Sequence, residues 1–425
     1  MSIIKKLNKQ YRISISRRRF LRFILNTINL PFLRPTKRSN LTILIYPEML
    51  REEEFLDAFY KANFFLLPNY VKNVIIPIAF IPSFNLNNYD SFPRLEYVAN
   101  VNLPPNINFH FIDKSAFRIG KTFWESDYIF IWKWEAWKQP YWISLFFNKF
   151  INVDRKNNTW EGWNWADFCY KLLISERKEA HRRLNQNKFL KYIESLKVYD
   201  KSYIFGTGPS LEDAYDIDFA DGYRIVCNTI VKNELLINHI NPHFIVAADA
   251  IHHFGNTNHA YRFRKDLENV ILKKDIRLLI PDLFSPLLEY YHPVIYKKTI
   301  SVRTDLQGVF LDLKKKLAYT NQPNILNSML LPLGTSLSNN IYLLGFDGRA
   351  PDAELFWKNS AENSYIELKS SLVEAHPGFF EGIDYEEYAD MQSISAEKIM
   401  TFGESIGNKY YCLNQTHIPA LHKRQ

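Results

Sequence analysis

The chain has 425 residues, enough for two domains with full hydrophobic cores, and its 47% hydrophobic and 23% charged residues are typical of a globular protein. Its three cysteines, Cys169, Cys227 and Cys412, are spaced too widely to indicate a disulfide framework or a zinc site, which favours a reducing compartment. No apolar run reaches the roughly 18 residues that a membrane-spanning helix needs, so such a helix is excluded.

The positive charge is concentrated in residues 1–40, which contain 11 Lys and Arg and no acid. The remainder has 42 basic and 45 acidic residues, so the net charge of +8 is a local property. Arginines at 17, 18, 19 and 22 flank the apolar residues at 20, 21 and 23–25, a pattern typical of segments that bind anionic membranes. We predict a basic amphipathic arm that holds a cytoplasmic, peripheral protein at the inner face of the membrane. A disordered arm is the main alternative, and nucleic-acid binding, which the pattern also permits, is not expected.

An N-terminal α/β domain is predicted for residues 41–173. Phe55, Ala58, Phe59 and Ala62 recur at helical spacing within Glu52–Asn63. Apolar runs predict strands at Leu41–Tyr46, Val74–Phe80, Asn108–Ile112, Tyr128–Trp132 and Ile151–Val153. Alternating strands and helices are typical of a parallel, Rossmann-like sheet, and we expect this domain to have an acceptor-binding or accessory role.

Eight of the nine tryptophans lie between Trp124 and Trp165. A tryptophan-rich core is the favoured interpretation, and stacking on sugar rings or contact with a membrane is the alternative. The next stretch, Ile174–Leu196, is highly charged and lacks Gly and Pro, so residues 174–200 are predicted to form a helical connector.

A second Rossmann-like domain is predicted for residues 201–425. Its predicted strands are Tyr203–Phe205, Tyr223–Cys227, Phe244–Ala247, Arg277–Ile280, Ile341–Leu344 and Lys409–Leu413, with a helix at Ala396–Ile406.

A glycine loop follows the first of these strands, with the residues Gly206, Thr207, Gly208, Pro209 and Ser210. Glycines expose backbone N–H groups, and Ser210 is spaced from Asp213 as in a capping box, so the loop is predicted to bind phosphate at a helix N-terminus. A tight structural turn is the alternative. Leu211 replaces the third glycine of the dinucleotide fingerprint, which argues against a nicotinamide enzyme.

Polar residues follow three further predicted strands. Asn228 follows Tyr223–Cys227, Asp249 follows Phe244–Ala247, and Asp347 with Arg349 follows Ile341–Leu344. Ligands of open α/β sheets bind at the carboxyl ends of strands, so we expect these segments to converge with the glycine loop on one site.

These segments resemble a known family. Gly206–Leu211, Cys227–Asn228, Ile341–Asp347, His376 and Tyr410–Leu413 occur in the same order and with similar spacing in bacterial family 42 sialyltransferases. Asn241–Asp249 is similar to the related motility accessory factor and 6-hydroxymethylpterin pyrophosphokinase-like proteins. The resemblance covers residues 200–421.

The resemblance implies that the C-terminal domain is a sialyltransferase-like nucleotide-binding domain, with the glycine loop, Asn228, Asp249 and Asp347 at the nucleotide. Asn324, Asn327 and Ser328 stand where the family binds the nucleotide through a Thr-Ser-Gly sequence. Arg349 and Trp357 stand where the family has tyrosines that stabilise the leaving phosphate, and an Arg suits that role. His376 stands at the position of the general base, and a histidine can accept a proton near neutral pH.

The function implied is transfer of an acidic sugar, sialic acid-like or Kdo-like, from a CMP-activated donor to a surface-glycan acceptor. Neither a metal nor a cofactor is expected. His252, His253 and His259 follow Asp249 closely, but a structural role is favoured over metal binding, and Asp216 with Asp218 is interpreted as a loop. The alternatives are a pterin-type pyrophosphokinase using ATP and Mg²⁺ held by Asp249 and Asp347, and a non-enzymatic carbohydrate-binding protein.

Overall fold

The computed structural model describes residues 37–100, 107–133, 141–305, 308–350 and 360–425. The chain divides into unit 1, which contains Met1–Leu172 and His376–Gly382, and unit 2, which contains Leu173–Ala375 and Ile383–Gln425. The predicted connector therefore belongs to unit 2, whereas residues 376–382, predicted within the C-terminal domain, belong to unit 1. The predicted arm lies outside the described residues except for positions 37–40.

Unit 1 contains a five-stranded parallel sheet with the order β3-β2-β1-β4-β5. The five predicted strands are confirmed to within three residues. They are β1 (Leu41–Tyr46), β2 (Val71–Ile78), β3 (Asn108–Asp113), β4 (Tyr128–Ile131) and β5 (Phe150–Asn152), and the helices are α1 (Glu52–Phe65), α2 (Ile119–Glu125), α3 (Glu161–Leu172) and the short helix Pro377–Phe380.

Aromatic packing holds α1 against this sheet. The central strand β1 is an apolar run with five of its six residues buried, as expected for a parallel strand covered on both faces. Phe55 and Phe59, on the predicted apolar face of α1, lie with ring centroids 5.1 Å from Phe111 and 4.7 Å from Phe109. Such aromatic pairs add to the stabilisation from buried area.

The tryptophans divide between the core and the surface. Trp165 is 1% exposed and stacks on Phe65, with ring centroids 6.0 Å apart. In contrast, Trp124 and Trp160 are 59% and 50% exposed. The core interpretation therefore holds for Trp165 and not for these two.

A buried ionic network joins α1 to α3. Lys61 Nζ lies 2.8 Å from Glu161 Oε1 and 3.3 Å from Asp57 Oδ1, and only 2% of Lys61 and none of Glu161 is exposed. Arg155 Nη1 lies 3.3 Å from Asp57 Oδ1 and donates to the Tyr97 hydroxyl at 2.9 Å. Burial acts to raise the pKa of Asp57, but Lys61 and Arg155 outweigh it and lower the pKa overall.

Unit 2 contains an eight-stranded parallel sheet with the order β11-β10-β9-β8-β7-β6-β12-β13. The six predicted strands are confirmed, and β10 and β11 were not predicted. The strands are β6 (Lys201–Phe205), β7 (Gly222–Cys227), β8 (Phe244–Val246), β9 (Arg277–Pro281), β10 (Thr299–Asp305), β11 (Ala318–Thr320), β12 (Asn340–Leu344) and β13 (Lys409–Cys412). The two parallel sheets confirm the predicted α/β class with two Rossmann-like domains.

Helices connect these strands. They are α4 (Ser175–Ser195), α5 (Glu234–Ile240), α6 (Asn258–Lys273), α7 (Ser285–Tyr291), α8 (Pro293–Lys297), α9 (Leu331–Leu337), α10 (Lys369–Ala375), α11 (Tyr385–Ser405) and α12 (Pro419–His422). None of the helices in the described parts of the chain is long and apolar enough to cross a membrane.

The strand order of unit 2 reverses next to β6. Strands β7 to β11 follow in sequence on one side of β6, and β12 and β13 lie on its other side. In doubly wound sheets, the carboxyl ends of the strands at such a reversal form the usual ligand crevice. The carboxyl ends of β6 and β12 are therefore where a site is expected.

Candidate functional site

Four predicted segments meet the carboxyl edge of neighbouring strands in unit 2. The glycine loop follows β6, Asn228 follows β7, Asp249 lies three residues beyond β8, and Asp347 lies three residues beyond β12. Strands β8, β7, β6 and β12 are consecutive in the sheet and all parallel. The four segments therefore lie at the same edge of this sheet.

The glycine loop packs directly on the turn that follows β12. The Gly206 N–H donates to the Leu344 carbonyl at 2.8 Å, and the Gly208 N–H donates to the Gly345 carbonyl at 2.9 Å. A Cβ on Gly206 would lie 2.3 Å from the Gly345 oxygen, and Gly345 itself has a φ of +81°. Glycine is required at both positions because the two backbones touch.

The Asp347 carboxylate occupies the start of the helical turn Pro209–Asp216. It accepts hydrogen bonds from the Ser210 N–H at 3.2 Å and from the Ser210 hydroxyl at 2.9 Å. The predicted capping box between Ser210 and Asp213 is wrong, because Gly208 is the N-cap residue and the Ser210 N–H is bound by Asp347, which lies in the turn after β12. A carboxylate is well placed there, since the N-terminus of a helix carries partial positive charge. The N–H groups of Gly206, Gly208 and Ser210 thus have partners within the fold.

Asn228 contributes an unsatisfied polar atom to the same edge. It adopts a left-handed conformation with a φ of +50°, and its Oδ1 is buried without a hydrogen-bond partner among the described residues. The adjacent Thr229 hydroxyl donates to the Asn363 carbonyl at 2.6 Å, and Lys232 Nζ donates to the Ser364 carbonyl at 2.6 Å. The segment after residue 360 therefore packs on the carboxyl end of β7.

Asn363 and Tyr388 belong to this region and were not predicted from the sequence. Asn363 is completely buried, and neither its side-chain oxygen nor its nitrogen has a partner among the described residues. The Tyr388 hydroxyl accepts a hydrogen bond from the Asn324 N–H at 3.1 Å. Burial raises the pKa of Tyr388; the bond from Asn324 lowers it, and the nearby Asp249 carboxylate raises it. Tyr388 therefore contacts the predicted residue Asn324 and is influenced by the charge of Asp249.

Asp249 and the histidines that follow it form a structural turn. Asp249 Oδ1 accepts from the Ile251 N–H at 2.8 Å, and the Asp249 N–H donates to His253 Nδ1 at 3.1 Å. Burial lowers the pKa of His252 and His259, and lowers that of His253 to about 3, so these rings are neutral near pH 7. In the described ranges no group of three or more His, Cys, Asp or Glu side chains could hold a metal ion.

Asn327 and Ser328 lie in the π-helical turn Leu326–Leu330. Asn327 Nδ2 donates to the Gln392 carbonyl at 2.8 Å, and the Ser328 hydroxyl donates to the Asn324 carbonyl at 3.1 Å. Both line a cavity of about 340 Å³. Isolated π-helical turns are frequent at functional sites.

His376 belongs to unit 1, although the other predicted site residues belong to unit 2. It precedes the helix Pro377–Phe380, is 3% exposed, and stacks on Phe379 with ring centroids 5.5 Å apart. The Gly378 N–H donates to the Arg155 carbonyl at 2.7 Å. Arg349 is half-buried just beyond the turn after β12, and Trp357 lies outside the described residues.

No protein-family model matches the chain, and no curated protein matches it significantly. A solved structure that it resembles is that of the sialyltransferase CstII from Campylobacter jejuni in complex with a substrate analogue, cytidine-5'-monophosphate. The two share 12% sequence identity with a TM-score of 0.26, and the similarity covers 53% of this chain and 88% of that chain.

Proposed function

We propose that this protein is a glycosyltransferase that transfers an acidic sugar, sialic acid-like or Kdo-like, from a CMP-activated donor to a surface-glycan acceptor. Unit 2 would bind the nucleotide at the carboxyl edge of its sheet. The observation that carries the proposal is the convergence of the glycine loop, Asn228, Asp249 and Asp347 beside the reversal of strand order.

Among the predicted site residues, Asn228 has the strongest physical reason to contact the nucleotide. A buried acceptor without a partner costs about 1–3 kcal/mol, and a hydrogen-bond donor from a ligand recovers that free energy. The amino group of cytosine and the hydroxyls of ribose are such donors. Asn228 Oδ1 is therefore a natural partner for the nucleoside part of the donor.

The proposed chemistry is a single displacement. The acceptor hydroxyl oxygen attacks the anomeric carbon, the bond from that carbon to the phosphate oxygen of CMP breaks, and His376 takes the hydroxyl proton. Arg349 would stabilise the charge that develops on the departing phosphate. Because the His376 ring is only 3% exposed, this role requires segment 376–382 to expose the ring when acceptor binds.

Nucleotide binding is tested by thermal shift with CMP, CDP, UDP and ATP with Mg²⁺. A ligand at 100 times its Kd should stabilise the protein by about 2.7 kcal/mol. Stabilisation by CMP supports the transferase, and stabilisation by ATP with Mg²⁺ alone would indicate the pyrophosphokinase. No response to any nucleotide would favour the carbohydrate-binding alternative.

The variant Asn228→Gly separates ligand binding from folding. Glycine accepts the left-handed φ of +50° at this position and removes only the side chain. The unliganded protein should melt near the wild-type temperature, while the shift caused by CMP should fall. A wild-type shift in Asn228→Gly would remove this residue from the site.

The role of His376 is tested by the turnover of His376→Ala. We expect a loss of about 10²–10⁴-fold and loss of the acidic limb of the pH profile, with CMP binding unchanged. His422→Ala, which removes an exposed histidine at the end of α12, is the matched control. Wild-type turnover in His376→Ala from pH 5 to 8 would show that another group is the base.

A further inference from the structure

A cavity of about 340 Å³ lies in unit 2 beyond the carboxyl end of β11. Its walls come from β11, residues 308–310, the π-helical turn Leu326–Leu330 and one face of α11, and they include the rings of Phe310 and Tyr319. Since one water molecule takes up about 30 Å³ of liquid volume, the space suits a ligand of roughly ten non-hydrogen atoms.

The contribution of α11 follows from helical spacing. Met391, Ile394, Ser395 and Lys398 line the cavity, and their spacing of three, four and seven residues places them on one face of the helix. Met391 is 44% exposed and Ile394 is 56% exposed. The mouth therefore presents apolar side chains that would lose contact with water if a ligand covered them.

Two of the polar side chains that line the cavity, Asn327 and Lys398, indicate which groups a ligand would carry. Asn327 is 1% exposed, and its Oδ1 is buried without a hydrogen-bond partner among the described residues. This oxygen is satisfied by a ligand that brings a hydrogen-bond donor. At the mouth, Lys398 is exposed, and the structure shows no ion pair for it within the described ranges.

We propose that this cavity binds a compact organic anion with an apolar or aromatic body, a hydrogen-bond donor at one end and an anionic group at the other. The donor contacts Asn327 Oδ1, the body packs between Phe310 and the apolar face of α11, and the anion pairs with Lys398. This site does not depend on the proposed transferase activity. It also gives Asn327 a ligand other than the nucleotide to which the sequence resemblance assigns it.

The probe is 4-hydroxybenzoate, which carries a hydroxyl donor, an aromatic ring and a carboxylate. Its two controls are benzoate, which lacks the donor, and 4-hydroxybenzamide, which lacks the charge. Calorimetric titration of the full chain should show saturable binding of 4-hydroxybenzoate in the millimolar range. Benzoate should bind about 3–10-fold more weakly, and 4-hydroxybenzamide about 2–5-fold more weakly.

Two variants locate the binding. Lys398→Gln should abolish the difference between 4-hydroxybenzoate and 4-hydroxybenzamide, whereas Lys409→Gln, a matched change of an exposed lysine on β13, should preserve it. Ser395→Leu narrows the cavity and should weaken all three compounds. Lys398→Gln alters only a surface side chain, so it tests the proposal even if Ser395→Leu proves unstable.

Four results would overturn the proposal. Three of them are the absence of saturable binding, equal affinity for the three compounds, and an unchanged preference for charge in Lys398→Gln. Displacement of 4-hydroxybenzoate by CMP would also overturn it, because the cavity would then belong to the nucleotide. A failure of CMP to bind at all would count against the proposed transferase and leave the result with 4-hydroxybenzoate intact.

Discussion

Replacing Gly208 with alanine tests whether the close packing of the glycine loop on the Asp347 carboxylate stabilises the protein. The φ of Gly208 is −67°, which alanine adopts readily, so the usual effect of the change would be a stabilisation of about 0.4–1 kcal/mol. Here the new Cβ would lie 1.9 Å from Asp347 Oδ2 and 2.8 Å from the Gly345 carbonyl oxygen. The carboxylate must therefore move away, and its two hydrogen bonds to Ser210 are lost.

The cost follows from those bonds. A hydrogen bond to a charged group contributes about 1.5–3 kcal/mol, but Asp347 is half-buried and its displaced carboxylate regains water. We therefore expect Gly208→Ala to lower the free energy of unfolding by about 2–3 kcal/mol, as measured by urea denaturation.

A double-mutant cycle assigns the cause of that loss. In an Asp347→Ala background the clash with Oδ2 is absent, so the cost of Gly208→Ala should shrink by at least about 1 kcal/mol. Gly120→Ala is the control, because a Cβ on Gly120 meets no atom within 4 Å and alanine favours the helix α2. The interaction would be refuted if the losses of unfolding free energy in the two single variants added up in the double variant, or if Gly208→Ala were stabilising.

Three further predictions concern pH, the ionic network and the arm. Burial lowers the pKa of His253 to about 3, so the stability that its neutral ring contributes is complete above the ordinary pKa of 6.5 and is lost as pH falls towards 3. His253→Phe should therefore reduce the slope of the unfolding free energy against pH by up to about 1.4 kcal/mol per pH unit. An unchanged slope would contradict the lowered pKa. Lys61→Met should lower the free energy of unfolding by about 3–5 kcal/mol, because it leaves Glu161 buried and unpaired. The double variant Lys61→Met with Glu161→Leu should lose less than the single variant, as measured by denaturant unfolding. Deleting residues 2–38 should abolish co-sedimentation with anionic vesicles at low salt and preserve the thermal shift with CMP; persistent vesicle binding would exclude the arm as the membrane contact.

Strands with continuous apolar runs were predictable from sequence, and the two missed strands lack that signal. β1 and β12 are apolar because parallel strands are covered on both faces. β10 carries Ser301, Arg303 and Asp305 in alternation, the last two in its half-buried end, and β11 has only three residues. The polar residues of β10 and the shortness of β11 left no apolar run of the kind that identified the other strands.

The sheet edge at which these polar residues lie was predictable from the sequence, but their hydrogen-bond partners were not. Polar residues after apolar runs indicate the carboxyl edge of a sheet whatever the strand order is. The bond from Ser210 to Asp347, in contrast, depends on the pairing of β6 with β12, which are separated by more than 130 residues. Tyr388 was missed for a similar reason, since nothing in the pattern of α11 distinguishes the turn that meets Asn324.

The occupied N–H groups of the glycine loop change where a nucleotide phosphate can bind. A phosphate placed at Ser210 would lie beside the Asp347 carboxylate, and two like charges at such distances repel strongly in a half-buried setting. The loop can therefore bind phosphate through those N–H groups only if the Asp347 carboxylate moves away. Asn228 carries no such conflict, because its Oδ1, which no described residue binds, is neutral and lies at the end of the adjacent strand β7. The proposed CMP site would therefore hold the nucleoside mainly through neutral hydrogen bonds, with the phosphate left to cations such as Arg349. In Arg349→Ala, cytidine should then give most of the thermal shift that CMP gives. In the wild type, CMP should bind more tightly than cytidine, by the contribution of Arg349 to phosphate binding.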